Sequence, residues 1–404
     1  MNRTVVVIGG GAAGYFSAIN IADKAANVKV VILEKTTKTL SKVKVSGGGR
    51  CNVTHACFVP KELSKYYPRG ERELLGPFHT FMTGDTIAWF SERGVELKME
   101  DDGRMFPVSN SSQTIIDCFQ KEVKRLGIEV QLSAEVQKIQ KVDEAFRLMT
   151  NHGKLQADYV VLAVGGNSKL KHYQWISELG HTIVNPIPSL FTFNLKKHAS
   201  NQLMGLALNA TVKIVGTKHE EYGPVLFTHW GMSGPGILKL SAKAAQLLFN
   251  QSYQFNYEVE WMPNAEELVA DLRRSKASAQ LANTKIEGFP NRFWMYLLTK
   301  GNIDSKKRWA DLNKLEIEKL IQLLSKDDYT ANGKTTFKEE FVTCGGVELK
   351  EVHMKTMESK LVENLFFSGE VLNIDGFTGG FNFQAAWTGG FLVADAISEK
   401  LATL

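Results

Sequence analysis

Val5-Val6-Val7-Ile8-Gly9-Gly10-Gly11-Ala12-Ala13-Gly14 joins four apolar strand-forming residues to a glycine pattern of the form G-x-G-x-x-G. The order predicts a strand, a tight turn and a helix. In such a unit Gly9 permits the turn, Gly11 lets the backbone approach a pyrophosphate, and Gly14 lets helix and strand pack closely. The free N–H groups and positive dipole end of the helix favour phosphate. A second apolar run, Val28 to Leu33, ends on Glu34, where an acid accepts hydrogen bonds from the adenosine ribose. Ala12 and Ala13 inside the turn and Lys35 after the acid belong to the same cofactor side. The chain is therefore expected to bind an adenine dinucleotide.

Distant segments are suited to the same ligand. Tyr159 to Val164 reads as a buried strand, and Ala163, Gly165 and Gly166 at its end allow close approach of a ligand. Residues 134–150 alternate like a small antiparallel meander, with Val136 on the cofactor side. Near the far end, Leu365-Phe366-Phe367-Ser368 runs into Gly369 and Glu370. Gly379-Gly380-Phe381-Asn382 then opens a last helix, whose dipole would favour the electron-rich edge of a reduced flavin. Glu370 or Asp375 would accept bonds from ribityl hydroxyls. A dinucleotide touched from both ends of the chain is expected to be FAD.

Between these segments the pattern changes. Leu206, Leu208, Ala210, Val212 and Ile214 recur with period two, as do Tyr253, Phe255, Tyr257, Val259 and Trp261, which predicts half-buried antiparallel strands. A helical block follows. Asn264 and Glu267 have capping-box spacing, Phe293 to Lys300 reads as a helix ended by Gly301, and Leu312 to Leu324 presents one apolar face. The expected architecture is α/β: a Rossmann-like FAD-binding domain with a parallel sheet, residues 1–186 and 343–404, interrupted by an insert at 187–342. Within the insert, β-barrel strands occupy 187–262 and 335–342, and a helical subdomain occupies 263–334. Elsewhere Lys35 to Asn52 reads as a polar loop, 61–93 as helix, Val95 to Pro107 as a hairpin, and 111–127 as a capped helix.

With 404 residues, 44% hydrophobic and 23% charged, the chain has the composition of a soluble globular protein with room for more than one domain. Its net charge of +5 is mild and its lysines are scattered, which argues against a nucleic-acid partner. Four cysteines form no disulfide framework, no signal peptide or membrane span is visible, and a cytoplasmic setting is expected. No metal-ligand spacing and no Ser–His–Asp arrangement stands out. A second G-x-G-x-x-G is absent from the insert, so any NAD(P)H would act as a transient electron donor over the flavin ring.

Four stretches, Ser46-Gly47-Gly48-Gly49-Arg50-Cys51-Asn52, Phe227 to Pro235, Thr356 to Lys360, and Gly369-Glu370 through Asn382, resemble a bacterial family of NAD(P)/FAD-dependent oxidoreductases. That family lies in the two-dinucleotide-binding-domain superfamily and includes aminoacetone-oxidase-like enzymes and reductases of unsaturated 3-oxo bile acids. The resemblance spans essentially the whole chain. It implies that Ser46, Gly48, Gly49, Arg50 and Asn52 line the flavin side and that Gly380, Phe381 and Asn382 meet its pyrimidine edge. The expected activity is NAD(P)H-driven reduction of a small or steroid-like conjugated substrate by hydride transfer through flavin N5. An O2-dependent oxidase of small amines is the first alternative; a flavoprotein that binds RNA or a partner is the second.

Individual residues carry two readings each. Cys51 and Cys57 form either a redox pair or packed single thiols. Arg50 sits near the pyrophosphate or flavin, or else in an ion pair. His229, beside Trp230 in a glycine-rich turn, donates a proton to substrate as the catalytic candidate, or braces the turn.

Overall fold

The computed structural model describes residues 3–25, 27–335 and 342–403. The chain divides into two compact units, Met1–Pro188 with Lys338–Leu404, and Ser189–Phe337. The expected barrel strand at 335–342 lies mostly outside the described residues.

The first unit is built on a sheet ordered Val352–His353, Glu358–Ser359, Leu365–Phe367, Tyr159–Leu162, Arg3–Ile8, Val28–Leu33, Glu129–Gln131. The last five strands run parallel, and the first two add antiparallel. Val5–Ile8, Tyr159–Leu162 and Leu365–Phe367 are buried along their whole length, as parallel strands covered on both faces must be. Helices Ala12–Lys24 and Phe381–Ala402 pack together on this sheet, with Phe16 and Trp387 5.1 Å apart between ring centroids. The chain steps from Arg3–Ile8 to Val28–Leu33 on one side and returns to Tyr159–Leu162 on the other. That reversal opens a crevice at the carboxyl ends of these strands, where ligands of open α/β sheets bind.

The meander runs further than expected, as three strands from Val136 to Ala157. Residues 61–93 form three helices, Pro60–Ser64, Glu71–Thr80 and Thr83–Ser91, because Gly70 in a left-handed conformation and the extended Phe81–Met82 break the run. The polar loop contains a helical turn starting at Ser41, which ends where Ser46, Gly47 and Gly48 leave helical geometry. Gly47, Gly48 and Gly49 all have positive φ, the reason three glycines stand together.

In the second unit, strands Ala207–Ile214 and Gln254–Glu260 show the expected alternation of buried and exposed residues. They belong to one antiparallel sheet with Glu220–Phe227, Gly231–Ser233 and Thr192–Asn194. Asp327–Asn332 pairs with Gln254–Glu260, while Lys334–Thr335, just past Gly333, pairs with Thr192–Asn194. One run of chain thus borders both ends of the sheet and closes it into a barrel. Helices Ala265–Ser275, Asn291–Lys300 and Lys314–Ser325 follow. Asn264 makes no side-chain cap at the first of these; the capping box forms instead between Asn313 and Glu316 at the third. Among the described residues no helix is long and apolar enough to cross a membrane.

Candidate functional site

The crevice at the strand ends contains two adjoining cavities of about 430 and 370 Å³, both bordered by Gly9, Glu34, Lys35 and Val164. These sizes are those of a cofactor cleft. Sequence-predicted Gly11, Ala12, Ala13, Ser46, Ala163, Gly165, Gly166, Gly369, Glu370 and Asn382 line the larger; Val136 lines the smaller. Segments more than three hundred residues apart therefore meet around one space.

The glycine turn is set by contacts that exclude a side chain. A Cβ on Gly9, whose φ is +114°, would lie 2.3 Å from the Ala163 carbonyl oxygen, and one on Gly14 would lie 1.9 Å from that of Gly9. Gly11 faces open space and caps helix Ala12–Lys24 with no side-chain hydrogen bond, so the first-turn N–H groups point at the cavity without a side-chain acceptor. A dinucleotide pyrophosphate fits this cradle.

Glu34 Oε2 accepts from Gly10 N (2.8 Å), and Oε1 accepts from Thr36 N and Thr36 Oγ1 (both 2.8 Å), which fixes the carboxylate at the border of the two cavities. Glu34→Ala is expected to weaken FAD binding about tenfold or more, the scale of a lost charged hydrogen bond. Flavin fluorescence titration of the apoprotein measures this, and wild-type affinity in the variant would remove Glu34 from the ribose role. On the opposite wall, Glu370 Oε2 accepts from Lys42 Nζ (2.6 Å). Lys42, Thr36, Lys38, Leu40 and Val43 line the larger cavity, and Lys171, His172 and Trp175 the smaller. None of these had a sequence signal, because they reach the space through the turn at Leu40 and the short helices Leu170–Tyr173 and Gln174–Ser177 rather than through a motif. Burial, together with Lys35, Lys171 and Lys169, holds His172 below the usual histidine range.

Other expected contacts fall elsewhere. Asp375 is fully buried, and its carboxylate takes a two-pronged bond from Arg69 Nε and Nη2, so it is not open to a ribityl hydroxyl. The Phe381 ring is buried against Tyr66, His55 and Tyr67, and its carbonyl accepts from Tyr67 Oη (2.6 Å); its ring cannot meet a flavin edge. Arg50 donates to Glu100 Oε1 (2.5 Å) and lies 3.9 Å over the Phe106 ring, which is the ion-pair reading. Asn52 is buried and, with its amide donating to Thr54 O, accepts from Gly380 N, tying the glycine loop to the last helix. Gly48, Gly49, Gly379 and Gly380 shape the loops beside the cavities without lining them. Asn382 both lines the cleft and closes its own loop, accepting from Gly376 N (2.8 Å) and donating to Gly376 O (3.0 Å).

The cysteines are free, and burial pushes the Cys51 thiol up to about 12 despite a hydrogen bond with Ser46. A thiol held so far from ionisation is a poor redox nucleophile. Iodoacetamide at pH 8 is expected to leave Cys51 of the native protein unlabelled by peptide mass mapping; rapid labelling would restore the redox reading. His229 is exposed in the second unit, its ring 3.8 Å from that of Trp230 and its carbonyl accepting from Asn201 Nδ2 (3.0 Å).

The structure also assembles a trio that sequence reading missed. Ser359 Oγ lies 2.9 Å from His181 Nε2, and His181 Nδ1 lies 3.2 Å from Glu351 Oε2. Ser359 is buried and its Oγ accepts from Leu361 N and Val362 N, so the trio braces a loop rather than presenting a nucleophile.

The family described as HI0933-like protein Rossmann domain matches residues 3–396. A Haemophilus influenzae protein named ribosomal RNA dihydrouridine synthase is 28% identical over 98% of each chain. A Clostridium scindens 3-dehydro-bile acid delta(4,6)-reductase is 26% identical over 99% of this chain and all of the relative. Among solved structures, Escherichia coli quinol fumarate reductase FrdA is alike in fold, with 14% identity, a TM-score of 0.51, and coverage of 99% of this chain and 71% of that one.

Proposed function

The chain belongs to the HI0933-like Rossmann family, and from that premise we propose that it is an FAD-dependent reductase that uses NAD(P)H to saturate a carbon–carbon double bond conjugated to a carbonyl. The observation that carries the reading is the crevice, which gathers an uncapped helix N-terminus, an acid at the ribose position and the start of the last helix around one elongated space. Two relatives with different names point to the same bond type. Dihydrouridine is uridine saturated at C5=C6, next to the C4 carbonyl, and a delta(4,6)-reductase of a 3-dehydro bile acid acts on double bonds conjugated to the 3-oxo group.

FAD supplies, when bound, the two-electron relay between nicotinamide and substrate. The chain's own residues hold and orient it. The first-turn N–H groups after Gly11 would take the pyrophosphate, Glu34 the adenosine ribose, and Glu370 the ribityl chain. The helix starting at Phe381 brings its positive end to the cleft beside Asn382 and Phe383, where it would favour negative charge on a bound flavin. One hydride and one proton add across the double bond, so NAD(P)H leaves as NAD(P)⁺. A cytoplasmic setting supplies the nicotinamide.

Anaerobic titration with NADH and NADPH, following the flavin band near ~450 nm, tests the donor. Bleaching by either, then return of colour on adding an α,β-unsaturated ketone without oxygen, is the expected result. Colour that returns only with O2, or bleaching only by an amine, would replace the reductase by an amine oxidase.

A further inference from the structure

Seven tryptophans stand in the chain, and five of them belong to its cores. Trp89, Trp261, Trp294, Trp309 and Trp387 are buried, and each indole N–H donates to a protein oxygen. Trp175 is different. It is half-buried in the wall of the smaller cavity, and among the described residues no second ring and no acceptor meets its indole. A large flat side chain left uncovered at the edge of a cleft is suited to a flat ligand.

The turn that carries Trp175 is anchored on both sides of it. Tyr173 and Ile176 are buried, and Tyr173 Oη accepts from Asn167 N (2.9 Å). The backbone tightens the same segment, with His172 N donating to Lys169 O (3.1 Å) and Glu178 N to Gln174 O (2.9 Å). Helix Gln174–Ser177 packs beside strand Val136–Val142, whose first residues Val136 and Gln137 also line the cavity. That strand is bulged there: Val136 pairs with Thr150 and Lys138 with Met149, so Gln137 stands outside the ladder. Ile8, Leu33, Ala134 and Val164 add an apolar lining. The order of parts along the crevice decides which end of a dinucleotide would reach this space. Gly10, Gly11, Ala12 and Ala13, at the phosphate turn, line only the larger cavity, whereas Glu34, at the ribose position, borders both. The base beyond that ribose would therefore fall in the smaller cavity and the flavin half in the larger.

We propose that Trp175 stacks on the adenine of bound FAD and makes the smaller cavity select the dinucleotide over a flavin mononucleotide. The indole covers the face of the base, and the bulged Val136–Gln137 edge offers backbone groups to its polar rim. Stacking of a base on an aromatic side chain is a large enough contact to govern how long the nucleotide stays. All of these residues belong to the first unit. The proposal rests on FAD occupying the crevice and is independent of which bond the reduced flavin acts on.

The test compares Trp175→Phe, which keeps a ring, with Trp175→Leu, which keeps apolar bulk without one. Each holoenzyme is diluted to nanomolar concentration, and FAD release is followed by the rise in flavin fluorescence. Trp175→Leu is expected to release FAD about tenfold faster than wild type, and Trp175→Phe to stay within about twofold of it. FMN, which has no adenine, should bind the flavin-stripped full-length proteins equally. Release from Trp175→Leu at the wild-type rate, or equally fast release from both variants, would overturn stacking. Loss of FMN in step with FAD would also overturn it, because Trp175 would then only support the cleft wall. A measurement on wild type covers a variant that fails to fold. Hydroxyl-radical footprinting with peptide mass mapping should find Trp175 oxidised severalfold less with FAD bound than with saturating FMN, and equal oxidation would remove the contact. A protein that retains FAD in this way yet returns no flavin colour with any unsaturated carbonyl would overturn the reductase reading and leave Trp175 in place.

Discussion

Gly14→Ala is expected to leave a protein without FAD and about 3 kcal/mol or more less stable, the upper range for an inserted methyl that cannot be absorbed. The added carbon would sit 1.9 Å from the Gly9 carbonyl oxygen and 3.4 Å from Val7 Cγ1. Gly9 cannot retreat. Its N–H donates to Leu33 O at 2.8 Å, and its other side faces the Ala163 carbonyl. The helix must therefore lift off the first strand, and the lift opens the turn that holds the phosphates. Gly11→Ala separates the two effects. Its Cβ meets no protein atom within 4 Å and its φ of −90° suits alanine, so the fold should survive while the methyl projects toward the cofactor. Urea unfolding and flavin content of both purified variants decide the matter. A yellow, fully stable Gly14→Ala protein would show that strand and helix are less tightly opposed than described.

Arg69→Met is expected to destabilise the first unit by about 3–5 kcal/mol, the cost of leaving a buried charge without its partner. Asp375 has no exposed surface, and Arg69 grips both of its oxygens from the neighbouring loop. The same two loops are joined by Phe377 N to Tyr66 O (2.9 Å) and Tyr67 Oη to Phe381 O (2.6 Å), just before the last helix begins. Loss of the ion pair should loosen the helix start that borders the cleft, and FAD release should quicken in parallel. Adding Asp375→Asn to Arg69→Met should recover much of the lost stability, because a neutral amide needs no counter-charge. The urea midpoint should move with little change in slope. Equal midpoints for Arg69→Met and wild type would mean that water or another group compensates the carboxylate.

The parts of this fold legible in the sequence are those governed by short-range rules. Val5 to Gly14, the acid at Glu34, the buried run Tyr159–Leu162 and the alternating barrel strands follow from local sterics and period, and each lies where its pattern placed it. Asp375 and Phe381 misled because an acid before a glycine and an aromatic at a helix start carry the same letters whether they meet a ligand or a neighbour 306 or 314 residues away. Arg50 misled for a similar reason: Glu100, its partner, arrives on the hairpin strand's approach and has no sequence relation to it. Lys42 and Trp175 were silent until the chain was folded, since only the third dimension puts them at the cleft.

The points where the chain leaves and re-enters the first unit have a topological consequence. Ile183–Ser189, by which the chain leaves the first unit, and Val342–Val347, by which it returns, are neighbours in a two-stranded sheet, and a Cβ on Gly345 would lie 2.5 Å from the Asn185 carbonyl oxygen. Exit and re-entry therefore lie side by side, and the whole insert is, topologically, one enlarged loop. Exit and re-entry side by side leave the strand order of the nucleotide-binding sheet independent of the length of chain between them.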